Sequence, residues 1–357
     1  MRIGILGGGQ LARMLALAGY PLGFEFVFLC PDPDACAAPL GEHLCAEFKD
    51  HAALQDLVEK VDRITYEFEN IPTETVEFLK GKLPVYPSPQ ALATARDRLH
   101  EKSLINKLGI GTAPFMVIDS LDELQQAAAK IGLPAILKTR TLGYDGKGQQ
   151  LLRKPSDLIA AWDDINSAAV ILEGFVAFER EVSIIAVRSL SGEMTFYPLS
   201  ENSHEAGILK RSFSLQDDPM QGLAEDYAQR LLEHLDYVGV LAIEFFQLEG
   251  TLLANEMAPR VHNSGHWTIE GAVTSQFENH LRAIAGLPLG NTALTNHSAM
   301  INLIGKLPDL DAVLRIPHAH LHLYGKAPRP GRKLGHITLC ADNSNSLQRH
   351  LAMLPDI

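Results

Sequence analysis

The chain has 357 residues, of which 46% are hydrophobic and 21% are charged, and its formal net charge is −12 at pH 7. This length predicts two or three domains with ordinary hydrophobic cores. The acidic balance argues against nucleic acid as a partner, because phosphate backbones bind basic surfaces. No stretch approaches the ~18 consecutive apolar residues of a membrane helix, so no membrane partner is expected. The four cysteines lack metal-ligand spacing and fit a reducing cytoplasm.

The first part of the chain alternates short apolar strands with amphipathic helices. The predicted strands are at 2–6, 24–30, 63–66 and 85–86, and the predicted helices are at 10–18, 52–60 and 73–80. This alternation predicts an α/β fold with a doubly wound parallel sheet. Pro87-Ser88-Pro89 favours a boundary, so residues 1–88 are expected to form an N-terminal domain.

A second domain is expected over residues 89–290, and it is rich in strands. Its helices are predicted at 90–108, 121–131, 156–166, 224–235 and 275–285, and its strands at 115–118, 135–138, 149–152, 170–173, 181–189, 195–199 and a hairpin over 241–257. Residues 291–357 are expected to form a small C-terminal domain with strands at 299–304 and 318–323. No short-period repeat or low-complexity segment is present.

The predicted hairpin carries the two most informative residues, Glu244 and Glu256. Each lies in an apolar run, where burial of an unpaired carboxylate is unfavourable. A turn at Glu249-Gly250 brings Glu244 opposite Asn255 or Glu256. Oxygen ligands of this kind favour Mg²⁺, with Mn²⁺ as the alternative. Because Mg²⁺ in such a pocket usually arrives with phosphates, we predict a metal and nucleotide site.

A glycine-rich loop at 143–149 follows the predicted strand that ends at Lys138. The simpler interpretation is a flexible hairpin tip. However, a lysine on an apolar strand needs an anion, and a lysine beside the backbone donors of a glycine loop suits phosphates. We therefore predict phosphate binding at this loop.

Gly7-Gly8-Gly9 lies between a strand and a helix and loosely matches the dinucleotide fingerprint. A structural turn explains the same pattern, and nothing else in the chain supports a nicotinamide cofactor. A dehydrogenase is thus the least supported interpretation.

Three further segments carry polar residues with two interpretations each. The loop 258–267 follows Glu256 directly and contains His262 and His266, which suggest zinc or, next to hard oxygen ligands, a substrate-binding loop. The strand end at 171–176 suits an adenine slot or an ordinary strand terminus. The basic loop at 326–333 suits a phosphate monoester or plain solvation.

Taken in chain order, these segments resemble the ATP-grasp ligases, and within them the 5-(carboxyamino)imidazole ribonucleotide synthetase family of purine biosynthesis. The family-specific stretches are 144–149, 259–267 and 329–336, and the resemblance extends from Gly4 to about His336. It implies an ATP-grasp fold with an N-terminal preATP-grasp domain and a small C-terminal domain. It also implies carboxylation of aminoimidazole ribonucleotide by ATP and bicarbonate, through carboxyphosphate, in a cytoplasmic homodimer.

The resemblance implies a role for each matching position. At ATP it places Arg98, Lys138, Gly143, Tyr144, Asp145, Gly146, Lys147, Gly148, Gln149, Glu173, Gly174, Phe175, Val176, Glu181, His204, Asn255 and Glu256. At Mg²⁺ it places Glu244 and Glu256. At the ribonucleotide it places Gln10, Leu11, Glu67, Asn263, Ser264, Lys326, Arg332 and Lys333.

For the chemistry we expect Lys138 and Arg260 to hold the reacting anions. His262 is one candidate for the base that takes the amine proton, and the sequence does not assign that base. Two alternatives stay open: an ATP-grasp ligase that uses formate or an amino acid, and a non-catalytic ATP sensor.

Overall fold

The computed structural model of the chain describes residues 1–143, 146–165 and 169–356. Within these ranges the named strands form three sheets. The first is parallel and N-terminal, the second is a small antiparallel sheet, and the third is large and continues into the C-terminal part of the chain.

The N-terminal sheet has the strand order β3-β2-β1-β4 and is parallel throughout. Its elements are β1 (Arg2–Leu6), α1 (Gln10–Gly19), β2 (Glu25–Cys30), β3 (Glu42–Cys45), α2 (His51–Lys60), β4 (Arg63–Tyr66) and α3 (Thr73–Lys80). The predicted β/α alternation is confirmed. The edge strand β3 was not predicted, because its side chains are partly exposed and show little apolar character. The predicted strand at 85–86 is a single parallel bridge between Ile64 and Val85.

The helix predicted over 90–108 is wrong as one element, because it breaks at Asp97 into α4 (Pro89–Arg96) and α5 (Arg98–Lys107). Asp97 has an extended backbone, and its carboxylate accepts a hydrogen bond from the Leu99 backbone N–H at 2.9 Å. Arg140 pairs with the same carboxylate at 2.6 Å. This N-cap starts a new helix, and the first turn of α5 then points charged residues into the interior.

The small antiparallel sheet has the order β5-β8-β6-β7 and packs against two helices. Its elements are β5 (Phe115–Ile118), α6 (Leu121–Ile131), β6 (Ala135–Thr139), β7 (Gln149–Leu152), α7 (Asp157–Ile165) and β8 (Val170–Gly174). Apart from end residues these agree with the prediction. The pairing of β6 with β7 holds the two ends of the glycine-rich loop together.

The large sheet has the order β14-β13-β9-β11-β12-β15-β17-β16, with β10 paired to β9. Its central elements are β9 (Arg180–Arg188), β10 (Met194–Phe196), β11 (Ser200–Glu205), β12 (Ile208–Ser214), α8 (Gln221–His234), β13 (Gly239–Leu248), β14 (Thr251–Ala258), α9 (Thr268–Gly271) and α10 (Gln276–Ala285). The predicted strand at 195–199 is wrong in its second half, where the chain turns into β11. Strands β11 and β12 were not predicted, because their polar sequences lack an apolar alternation.

The C-terminal part extends this same sheet, since β12 pairs with β15 at Arg211 and Ile301. Its elements are β15 (His297–Ile304), α11 (Leu310–Leu314), β16 (Ala319–Leu323), β17 (Lys333–Ala341) and α12 (Ser344–Ala352). The predicted strands at 299–304 and 318–323 are present with small end shifts. Lys333, predicted in a loop, is the first residue of β17.

His280 connects the N-terminal sheet to the large sheet from its position on α10. Its Nδ1 accepts the Val240 backbone N–H at 3.1 Å, and its Nε2 lies 2.9 Å from the Thr65 hydroxyl. The ring is 1% exposed, and burial lowers its pKa to about 4. Protonation of Nδ1 would therefore break the hydrogen bond to Val240 inside a packed interface.

We expect the free energy of unfolding to decrease as the pH is lowered from about 6.5 to about 4, in part because of His280. Its folded pKa of about 4 lies below the unfolded value of ~6.5, so the unfolded chain binds more protons in this window. The contribution is complete above the unfolded pKa and is lost as the pH falls toward the folded pKa. The contribution of His280 to the free energy of unfolding is about 3 kcal/mol at most.

Urea unfolding of the wild type and of His280→Gln between pH 7 and 4.5 measures this contribution. The variant should show a shallower pH dependence. The exposed His234 on α8 offers a matched control, and His234→Gln should retain the wild-type slope. Equal slopes in all three proteins would show that His280 contributes nothing.

Candidate active site

A cleft of about 680 Å³ is lined by residues of the small antiparallel sheet and the large sheet, and by the segments that follow β1 and β4 of the N-terminal sheet. The predicted site residues that line it are Gln10, Leu11, Glu67, Arg98, Lys138, Gly143, Gly146, Lys147, Gln149, Glu181, His204, Glu244, Asn255, Glu256, Arg260, His262, Asn263 and Lys333. Other predicted residues do not line the cleft in the described part of the chain: Gly148, Glu173, Gly174, Phe175, Val176, Ser264, Lys326 and Arg332. The predicted Tyr144 and Asp145 lie outside the described residues. The fold therefore brings most of the predicted residues to one place.

A β-bulge in the hairpin of β13 and β14 places the acidic residues. Glu244 pairs with Glu256 and Phe245 pairs with Ala254, so that Asn255 is an extra residue on its strand. Neighbouring side chains of a regular strand point to opposite faces, whereas a bulge redirects one of them. Asn255 and Glu256 consequently both line the cleft opposite Glu244.

The N-terminal part of α5 holds three consecutive residues of this bulge, Asn255, Glu256 and Met257. Arg98 Nη1 lies 3.0 Å from Glu256 Oε2, and Lys102 Nζ donates to the Asn255 carbonyl at 3.1 Å. The Met257 backbone N–H donates to Glu101 Oε1 at 2.6 Å. Two of these contacts satisfy backbone groups of the bulge, and the third orients the Glu256 side chain, so the irregular backbone is fixed.

Sequence reasoning missed Glu101 and Lys102, although both are buried. Burial and the nearby Glu256 raise the pKa of Glu101 to about 8. A usable signal was the spacing of Arg98, Glu101 and Lys102, since residues three and four apart share one helix face. Three charges on a face that must pack inward indicate an internal ionic network.

Lys102 also connects the bulge to the predicted phosphate lysine. Glu173 Oε2 lies 3.2 Å from Lys102 Nζ and 3.0 Å from Lys138 Nζ, with all three side chains buried. Burial lowers the pKa of Lys138, and the charge of Glu173 opposes that shift. Oε2 of Glu173 is thus committed to two lysines, whereas Oε1 is buried and has no hydrogen-bond partner among the described residues. Strand β8 is paired with β5 and with β6 at Glu173, so the adenine contact that the sequence predicted for this residue stays a prediction.

Glu244 and Glu256 differ in their electrostatic surroundings. Burial and the charge of Glu256 raise the pKa of Glu244. Burial acts in the same direction on Glu256, but the charges of Arg98 and Lys138 outweigh it and lower its pKa. The charge of Glu256 is therefore compensated by Arg98 and Lys138, whereas the cations near Glu244 do not offset its burial and its repulsion from Glu256.

The donor set of the bulge fits a hard cation. Asn255 Oδ1 is buried and has no hydrogen-bond partner among the described residues, and it lies beside two carboxylates in the cleft. In the described part of the chain no group of three or more acidic, histidine or cysteine side chains is placed to hold an ion. Mg²⁺ binding here would take its remaining ligands from phosphate oxygens and water, as Mg²⁺ commonly does.

Three further pairs of titratable side chains line the cleft. His204 Nδ1 lies 2.5 Å from Glu181 Oε2, and His262 Nε2 lies 3.5 Å from Glu244 Oε1. Burial opposes protonation of His204, but its hydrogen bond to Glu181 raises its pKa. Arg260 pairs with Glu69 at 2.5 Å, a residue that sequence reasoning missed. The sequence signal for Glu69 was a polar run at the carboxyl end of a parallel strand, where ligands bind in open α/β sheets.

The glycines of the first turn accommodate a protein carboxylate. Glu67 accepts the backbone N–H of Gly9 and, at 2.9 Å, that of Ala12 at the start of α1. A Cβ on Gly7, whose φ is 118°, would lie 2.4 Å from Glu67 Cγ. Because Glu67 occupies the helix terminus that a dinucleotide phosphate would need, this geometry argues against the nicotinamide alternative.

The basic residues of the C-terminal part take three different positions. Lys326 donates to the side chain of Gln10, and Arg332 donates to the Ala327 carbonyl at 3.2 Å. Lys333 lines the cleft. The N-terminal and C-terminal parts of the chain therefore meet at one edge of the cleft.

Three family models match the chain. They describe a ribonucleotide synthetase preATP-grasp domain over residues 1–96, an ATP-grasp domain over 103–277 and a phosphoribosylaminoimidazole carboxylase C-terminal domain over 298–350. The predicted fold, an ATP-grasp α/β fold with a parallel-sheet N-terminal domain and a small C-terminal domain, is confirmed.

Relatives match over the whole chain. The N5-carboxyaminoimidazole ribonucleotide synthase of Pseudomonas aeruginosa is 58% identical, with 99% of this chain and 98% of that protein covered. The enzyme of the same name from Bacillus subtilis is 40% identical, with 94% and 90% covered.

Solved structures give the same result. The synthetase from Thermus thermophilus superposes with a TM-score of 0.95 at 55% identity, covering 99% of this chain and 97% of that one. The Aspergillus clavatus synthase, in complex with ADP and 5-aminoimidazole ribonucleotide, superposes with a TM-score of 0.91 at 32% identity, covering 98% and 96%. The chain belongs to the N5-carboxyaminoimidazole ribonucleotide synthase family of ATP-grasp ligases.

Proposed function

We propose that this chain carboxylates the exocyclic amine of 5-aminoimidazole ribonucleotide with bicarbonate and ATP, in purine biosynthesis, and releases ADP and phosphate. The observation that carries the proposal is the bulged hairpin. It presents Glu244, Asn255 and Glu256 to the same cleft as Lys138 and the N-terminal residues Gln10 and Glu67. Family membership supports the choice of substrates, since a related synthase is solved with ADP and 5-aminoimidazole ribonucleotide.

The first step transfers the γ-phosphoryl group of ATP to a bicarbonate oxygen, which forms carboxyphosphate and ADP. Such transfers depend on positioning and on cations near the spreading negative charge. Arg98 and Lys138 line the cleft with fixed orientations, one through Glu256 and the other through Glu173. A Mg²⁺ ion on Glu244 and Glu256 would supply further positive charge to the phosphate oxygens.

In the second step the amine nitrogen bonds to the carboxyl carbon of carboxyphosphate, or of CO₂ released from it. The carbon–oxygen bond to phosphate breaks and the amine loses a proton. We assign Arg260 to hold bicarbonate, because its guanidinium lines the cleft and is oriented by Glu69. The loop from Gly143 to Gln149 would exclude water from the labile intermediate.

For the nucleoside we propose an apolar wall that sequence reasoning missed. The rings of Phe178 and Phe246 stack with centroids 4.8 Å apart, and both residues line the cleft. Glu181, oriented by His204, is placed to accept hydrogen bonds from ribose hydroxyls. The backbone of residues 173–176 stays our proposal for the edge of the adenine ring.

A coupled ADP assay with 5-aminoimidazole ribonucleotide, with and without bicarbonate, tests the proposed function. We expect ADP release that requires both substrates, with the carboxylated product formed in equal amount. ADP release with formate or an amino acid in place of bicarbonate would favour the neighbouring ligase class. ATP binding with no substrate-dependent turnover would favour an ATP sensor.

Replacing Arg332 with alanine is expected to raise the KM for the ribonucleotide by roughly 10-fold with little change in kcat, as for the loss of one charge-assisted hydrogen bond. The reason is that Lys326, Arg332 and Lys333 are proposed to bind its 5′-phosphate. Steady-state kinetics with each substrate varied in turn measures the effect. The exposed Arg315 provides the control, and Arg315→Ala should leave both constants unchanged. A higher KM for ATP alone would show that the phosphate site is misplaced.

The proposal includes three domains at residues 1–88, 89–290 and 291–357, a homodimer and a cytoplasmic location. The free thiols of Cys30, Cys36, Cys45 and Cys340 are compatible with that location. None of the helices in the described ranges has the length and apolar character needed to span a bilayer.

A further inference from the structure

His262 is held by hydrogen bonds that determine which of its ring nitrogens carries the proton. Its Nδ1 accepts the backbone N–H of Ser264 at 3.3 Å and lies 2.9 Å from the Ser264 hydroxyl oxygen. A backbone N–H can only donate, so Nδ1 must present its lone pair to it. In the neutral ring the proton is then on Nε2.

A buried chain of polar side chains supports this arrangement. The Ser212 hydroxyl donates to Asn202 Oδ1 at 2.7 Å, Asn202 Nδ2 donates to the Ser183 hydroxyl at 2.9 Å, and Ser183 donates to the Ser264 hydroxyl at 2.8 Å. Because Ser264 accepts from Ser183, its own hydrogen is directed at His262 Nδ1. All four residues are buried on strands β9, β11 and β12 and on the loop after β14. The hydrogen bonds of this network therefore all run toward the histidine, each residue donating to the next.

The other nitrogen of the ring lies at the cleft. His262 lines the cleft, and its Nε2 lies 3.5 Å from Glu244 Oε1. Because Nδ1 accepts the Ser264 backbone N–H, it carries no proton, and the ring holds its single proton on Nε2. The protonated Nε2 thus points a hydrogen-bond donor into the site.

We infer that His262 acts in carboxylation as a hydrogen-bond donor through Nε2, and that Ser264, Ser183 and Asn202 are positioning residues that fix this tautomer. The inference rests on the proposed function and deepens it. A nitrogen that already carries a proton cannot take one from the amine. His262 instead suits a negatively charged oxygen of bicarbonate or of carboxyphosphate, where a positioned donor stabilises developing charge. The candidate base suggested by the sequence is thereby reassigned.

Two-bond ¹H–¹⁵N correlation spectra of the ¹⁵N-histidine-labelled chain test the tautomer directly. The His262 signals, assigned by their loss in His262→Gln, should show a protonated Nε2 and an unprotonated Nδ1 without any substrate present. Ser264→Ala should move the two nitrogen shifts toward each other, because one of the two donors to Nδ1 is removed. Ser214→Ala is the matched control, since Ser214 is a buried serine of β12 that donates to the Ser298 carbonyl instead. A protonated Nδ1 in the wild type would overturn the inference.

Kinetics of His262 variants separate a donor from a base. Glutamine can donate from its amide near the position of Nε2 but cannot accept a proton at neutral pH. We expect His262→Gln to retain carboxylation within roughly 10-fold of the wild type and His262→Ala to lose roughly 10²–10³-fold. Equal loss in both variants would overturn the donor role. The spectra need no substrate, so a wrong choice of substrate would leave the tautomer result intact and appear only in the ADP assay.

Discussion

Replacing Glu244 with glutamine is expected to lower bicarbonate-dependent ADP formation by at least roughly 10²–10³-fold, while the fold is retained. Glutamine has the same size but removes the negative charge that burial and Glu256 make costly in this position. Because Glu256 already pairs with Arg98, the charge of Glu244 is the one in the bulged hairpin that a bound cation would mainly compensate. The largest effect should therefore fall on metal-dependent phosphoryl transfer.

Three measurements test this prediction together: the ADP assay, thermal unfolding and Mn²⁺ binding in the presence of ADP. Glu244→Gln should weaken Mn²⁺ binding and leave the unfolding temperature near that of the wild type. Glu249→Gln is the matched control, since Glu249 lies at the exposed tip of the same hairpin. Wild-type turnover in Glu244→Gln would refute the metal assignment.

Replacing Lys102 with methionine is expected to destabilise the protein by about 3–5 kcal/mol and to reduce turnover at least about 100-fold. Its ammonium group is fully buried and bonds both the Asn255 carbonyl and Glu173. Methionine is unbranched and only one atom shorter than lysine, but it leaves a buried carboxylate with one cation fewer. The bulge that presents the cleft carboxylates loses a contact at the same time, so stability and activity should fall together.

Urea unfolding measures the stability loss, and Lys107→Met is the control because Lys107 is exposed on the last turn of the same helix. The double variant Lys102→Met/Glu173→Gln removes the uncompensated charge and should recover part of the stability. Its turnover should stay low, because Lys138 then lacks the carboxylate that orients it. A single variant with wild-type stability and turnover would contradict the role of Lys102.

Local patterns were sufficient to predict most elements of the fold. The β/α alternation of the first 66 residues and the helix over 121–131 follow from apolar spacing alone. The hairpin turn at Glu249-Gly250 is equally local, since both residues adopt positive φ values of 50° and 73° there. Such features depend on residues a few positions apart, which the sequence displays directly.

Elements whose partners are distant in the chain escaped the same reasoning. The break at Asp97 depends on Arg140, which is 43 residues away. Strands β11 and β12 look like polar loops until Ser183 and Ser264 are placed beside them to satisfy their side chains. A pattern of apolar residues does not reveal a strand that is stabilised by buried hydrogen bonds.

The sequence by itself determined that two carboxylates and a lysine on apolar strands need ligands, because burying such groups alone would be too costly. The family resemblance added the prediction that they share one site with the polar loop. Only the tertiary structure decided how they are held. Met257 meets Glu101 across 156 positions, Asn255 meets Lys102 across 153, and Ser264 beside His262 meets Ser183 of β9 across 81. Hydrogen-bond and ionic energies depend on distances in space, and a linear order of residues does not contain those distances.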